Sequence, residues 1–162
     1  MNVFDGKIGM TGSISTKESI PTFTMGVDLD KINIPTSFQQ LDLLKSIAPI
    51  ANVIRGKLNS NMNLSGTLTK EMTPNLQTLS GNLSGELLET KVDEKKSKLL
   101  SAANSNFNFI DTNKLNLNNV KINLNFKNGK VAIQPFNLKY NDIKVTVGGT
   151  HGFDQNMNYN LK

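Results

Sequence analysis

The sequence predicts an α+β domain: a strongly curved, mostly antiparallel β-sheet of about eight or nine strands that closes in a meander. A kinked amphipathic helix is expected on its apolar face, together with one shorter helix. Three observations carry this. Strict apolar/polar alternation recurs along most of the chain, which gives strands with one apolar face. Turn dipeptides punctuate it, with Asn128-Gly129 supplying the positive φ angles of a tight hairpin. After Pro35 alone the spacing changes clearly to three and four.

The meander is the clearest part. Val120, Ile122, Leu124 and Phe126 alternate with Lys and Asn, and Val131 and Ile133 follow the Asn128-Gly129 turn. Phe136, Leu138 and Tyr140 come next, then a turn at Asn141-Asp142, then Ile143, Val145 and Val147. Phe153, a turn at Asp154-Gln155-Asn156, and Met157, Tyr159 and Leu161 complete it.

At the start, Asn2 to Gly6 reads as strand and turn, and Ile8, Met10 and Ile14 form an alternating strand. Glu18 to Pro21 is turn material, because proline removes a donor. Phe23, Met25, Val27 and Leu29 then mark a second strand. Ile32 and Ile34 switch parity, which predicts a bulge near Lys31.

Ser37, with Gln40 three residues on, reads as a capping box. Phe38, Leu41, Leu44, Ile47 and Ile54 form the apolar stripe of the predicted covering helix, kinked at Pro49 and stopped at Gly56. Strand pattern returns with Leu58, Met62, Leu64 and Leu68. The stretch from Lys70 to Leu79 is a loop with a helical turn expected after Pro74. Leu-Ser-Gly recurs at 64–66, 79–81 and 83–85, and glycine within strands points to bulges, close backbone approach or curvature. Another strand runs through Leu87 towards Val92, and Val92 to Asn104 reads as the shorter helix.

Composition limits the function. The 162 residues suit a single domain spanning 1–162. The net charge is +5, but its lysines are scattered and its aromatics sit on the apolar side, so no nucleic-acid partner is expected. Cysteine is absent, which removes disulfides and thiolate metal sites. The lone His151 reads as a surface or turn residue, and no nucleophile elbow or phosphate loop is present. Asp154 to Asn158 opens like a calcium loop, but Tyr159 stands where glycine is required. No catalytic residue, metal or cofactor is expected.

What remains is the apolar face of Phe23, Met25, Val27, Met62, Leu64, Ile122, Leu124, Val131 and Ile133. It is either core beneath the covering helix or an open gutter for acyl chains. A further set of residues stands in a familiar order: Ala48-Pro49-Ile50-Ala51 with Ile54, Arg55 and Gly56, then Leu64-Ser65-Gly66, Pro74 and Leu79-Ser80-Gly81. In these the chain resembles the AsmA-like family of Bacteroidetes type. The closing residues Gly129, Val131, Pro135-Phe136, Asp142-Ile143, Val147, Gly149, Gly152, Asp154-Gln155 and Tyr159 extend the likeness.

The resemblance implies the C-terminal region of a larger periplasmic envelope protein, with an inner-membrane anchor outside this chain. It implies a non-enzymatic β-groove linked, in the wider group that includes TamB, to phospholipid transport and outer-membrane biogenesis. The implied partner is a phospholipid or other acyl lipid, with envelope proteins as further partners. A scaffold that assists outer-membrane protein assembly is the alternative.

Overall fold

The computed structural model describes residues 1–40, 54–93, 114–153 and 157–161. Ten strands build one antiparallel sheet among these residues: β1 (Asn2–Val3), β2 (Gly6–Ser15), β3 (Thr22–Asn33), β4 (Ile54–Thr67) and β5 (Ser80–Val92), then β6 (Leu115–Asn116), β7 (Lys121–Lys127), β8 (Lys130–Tyr140), β9 (Ile143–Gly152) and β10 (Met157–Leu161). Nine strands lie side by side in chain order, and β6 pairs with the far end of β8. One helix, α1 (Ile34–Gln40), leaves the end of β3, and a 3-10 turn occupies Leu76–Thr78.

Three pairs of neighbouring strands are joined by tight turns that the sequence dictates. Asn128 and Gly129 both adopt positive φ, the geometry that matches strand twist in a two-residue hairpin. Phe4-Asp5 does the same between β1 and β2, and Asn141 has positive φ in the turn between β8 and β9.

Three register shifts bend the sheet. On β3, Asp30 and the positive-φ Lys31 oppose the single residue Asn59, whose Oδ1 accepts from Lys31 N at 2.8 Å. This is the expected bulge. A second shift sets Gly56 of β4 against Glu89 and Thr90 of β5, and a third lies at Gln134-Pro135 of β8. Proline is tolerated there because a bulge leaves a residue without a ladder partner.

Four expectations are corrected. Ile54 and Gly56 belong to β4, not to a helix and its stop. Gly56 has φ +138° at the bulge, and a side chain there would meet Thr90 Cγ2 at 2.7 Å. The helix cap is Asn33, not Ser37: Asn33 Oδ1 accepts from Thr36 N at 3.1 Å and from Thr36 Oγ1 at 3.0 Å. Ser37 lies buried in the first turn, where its hydroxyl donates to Ile34 O, because the chain has already turned helical at Ile34. Val92 ends β5 rather than beginning the shorter helix. His151 is buried in β9, opposite Val131 and Met157, because its parity places it on the apolar side. Leu41, Leu44 and Ile47, most of both predicted helices, and the turn 154–156 lie outside the described residues.

Candidate functional site

Strand register decides what each face carries. Directly opposed residues of antiparallel strands share a face. One row therefore runs Met10, Val27, Met62, Leu83, Leu124, Ile133, and the next runs Gly12, Met25, Leu64, Gly81, Phe126, Val131. All nine apolar positions singled out in the sequence fall on this face. Phe23, Val27, Met62, Leu64, Leu124 and Val131 are buried, while Met25, Ile122 and Ile133 are half-buried.

Two packed clusters make up the interior of the face. One gathers Phe23, Val27, Met62, Leu64, Leu124, Phe126 and Val131, with Leu68 and Leu79 from the chain between β4 and β5. The other gathers Leu87, Leu117, Val120 and Leu138 with Ile34 and Phe38 of α1. Ile34 and Phe38 lie one helical turn apart, so both point to the sheet. Of the predicted covering helix, Phe38 therefore packs on the apolar face as expected, and Ile122 packs around the same cluster. Between the clusters the face narrows to the small pair Ser60 and Gly85.

At the β2 margin the apolar face is uncovered. Met10 is 67% exposed, Ile14 60% and nearby Ile20 56%. Met10 lies opposite buried Val27, and Ile14 opposite buried Phe23, so this strip continues the core out into solvent. Sequence alternation put Met10 and Ile14 on the apolar side, but it held no signal for their exposure, which depends on which strand is outermost.

The opposite face is polar, and two shallow depressions lie on it. One is bordered by Lys7, Asp28, Asn61, Ser84 and Asn123, the other by Thr11, Thr24, Asn63 and Asn82. Side-chain bonds bridge strands there: Asn61 donates to Asp28 across β4 and β3, and Ser84 Oγ donates to Asn123 Oδ1 at 2.8 Å across β5 and β7. Along β4 itself Asn63 donates to Asn61 at 3.2 Å. These bonds give strand Asn a structural use, since the first two replace water with a cross-strand partner. Asp28 and Asp30 are exposed on this side.

Among the described residues one carboxylate, that of Asp93, is buried. Asp93, just past β5, accepts from Arg55 Nε at 3.0 Å and from a terminal guanidinium nitrogen at 2.7 Å. The pair staples the far ends of β4 and β5 beyond their bulge. No group of three or more His, Asp or Glu side chains suited to a metal occurs among the described residues. No described helix is long and apolar enough to cross a membrane. No family model, curated protein or solved structure matches the chain.

Proposed function

We propose that this chain is a non-enzymatic segment of a periplasmic β-groove that handles acyl lipid and contributes to phospholipid transport and outer-membrane biogenesis. The observation that carries the reading is the apolar face running from its packed interior to the exposed Met10 and Ile14. Buried Phe23 and Val27 form the floor next to these two, so an acyl chain lying along β2 meets a continuous apolar surface. Covering each exposed side chain contributes about 1–2 kcal/mol, at roughly 25 cal/mol per Å² of apolar area removed from water. The interior residues are already packed and serve as support; lipid contact is confined to the margin. The resemblance to AsmA-like proteins supports the same reading.

Lipid extraction and native mass spectrometry of the purified chain test this. Bound phospholipid is expected, and Met10→Ser with Ile14→Ser should reduce it more than tenfold, because two side chains at about 1–2 kcal/mol each exceed the roughly 1.4 kcal/mol of a tenfold change. A chain that carries no lipid and takes up no fluorescent fatty acid sinks the proposal.

Among the described residues the outer edge of β2 from Gly9 to Ser15 has no partner strand, which favours a second reading, a scaffold domain that assists outer-membrane protein assembly. Retention of unfolded outer-membrane protein on the immobilised chain, lost when the β2 edge is blocked, is its expected signature.

A further inference from the structure

We propose that two copies of this chain pair through the outer edge of β2, antiparallel and in a register centred on Gly12. This does not rest on the lipid reading. β1 covers only the beginning of the edge: Ile8 N donates to Met1 O, and the amino terminus donates back to Ile8 O, both at 2.9 Å. Alternate residues of an antiparallel strand aim both backbone groups to the same side. Met10, Gly12 and Ile14 therefore aim theirs outward, where no described strand pairs with them, while Thr11 and Ser13 face β3.

The free edge runs from Gly9 to Ser15, and every residue in it is exposed. It carries no charge, proline or bulge, the devices that normally protect a sheet edge from pairing. Its midpoint is Gly12. Pairing about that point sets Met10 against Ile14 of the second copy, Thr11 against Ser13, and Gly9 against Ser15. Met10, Gly12 and Ile14 then exchange backbone hydrogen bonds, large apolar residues meet on one face and hydroxyls on the other. A chain of net charge +5 places no lysine in the contact, because Lys7 and Lys17 lie just beyond its two ends.

The second copy is favoured over a foreign strand because the segment complements itself about its own centre, as a two-fold interface requires. The contact also ends where β2 ends on one side and where Met1 occupies Ile8 on the other. It joins the two apolar faces into one continuous surface.

The absence of cysteine allows a direct test. In this register Thr11 and Ser13 form a non-hydrogen-bonded pair, whose Cα atoms lie about 4.5 Å apart, within reach of a disulfide. The full chain carrying Thr11→Cys and Ser13→Cys is expected to form a covalent dimer under mild oxidation, and Thr11→Cys alone to remain uncrosslinked. Sedimentation of the unmodified chain should show a concentration-dependent dimer. Met10→Lys with Ile14→Lys, which opposes like charges, should weaken it about tenfold, and Met10→Lys with Ile14→Glu should restore it. Circular dichroism checks that each variant folds. A chain that stays monomeric, a dimer that the double cysteine variant does not capture, or crosslinking by Thr11→Cys alone overturns the proposal. So does a monomer that captures only a foreign strand.

Discussion

Ser60 is a buried hydroxyl on the apolar face, and its Oγ has no hydrogen-bond partner among the described residues. An unsatisfied buried group costs about 1–3 kcal/mol of desolvation, so removing it relieves that cost. Ser60→Ala is expected to raise stability by about 1 kcal/mol, read as a higher urea midpoint with an unchanged slope. A lowered midpoint would mean that the hydroxyl is satisfied in solution. Gly81 is the opposite case. Its φ is +143°, and a Cβ there would collide with the backbone oxygen of Asn63. Gly81→Ala should cost about 3 kcal/mol or more, since backbone strain and a steric clash add. The Leu-Ser-Gly pattern leaves bulge, close backbone approach and curvature open at this glycine; that it is close approach, with Asn63 as the obstacle, depends on how β4 and β5 come together.

Elements show where local signals compete. Ser37 with Gln40 offers a capping box, but the chain starts the helix at Asn33 instead because β3 delivers Asn33 to the turn with its Oδ1 beside Thr36. Asn33→Ala is therefore expected to cost about 1 kcal/mol, the usual value of a lost N-cap, and Ser37→Ala less than about 0.5 kcal/mol. Thermal denaturation of the two variants separates the caps; equal losses would contradict this placement. Ile54 was misassigned for a related reason. An apolar residue at helical spacing from Ala51 also starts the even-numbered alternation Ile54, Leu58, Met62, which the bulge leaves intact because its extra residue lies on β5. The hairpins posed no such ambiguity, because Asn-Gly and Asn-Asp fix backbone angles without help from distant residues.

At the scale of the whole molecule, strands β4, β5, β7 and β8 run through both packed clusters. Loss of either cluster therefore frees strands that the other needs, and a single cooperative transition is expected. Val27→Ala in one cluster and Val120→Ala in the other should each cost about 2 kcal/mol. Because the two residues share no cluster, the double variant should lose the sum to within about 0.5 kcal/mol. Two separate calorimetric transitions would show instead that the clusters fold independently. At one margin of the line of strands β1 covers only the start of β2 and leaves Met10 and Ile14 exposed, and both functional proposals draw on that margin.

The sequence by itself determined which residues share a face, where the hairpins turn and where β3 bulges. Those properties follow from the two-residue pleat and from the φ angles that Asn and Gly accept, which act within a few residues. Tertiary structure decided that Ile54 is strand, that His151 is buried, and that six of the nine chosen apolar residues are core while Met10 and Ile14 lie at the rim. Burial and edge position depend on strand order, and order is set by pairing between segments far apart in the chain. Alternation is identical in a central strand and an edge strand. Only the assembled sheet distinguishes them.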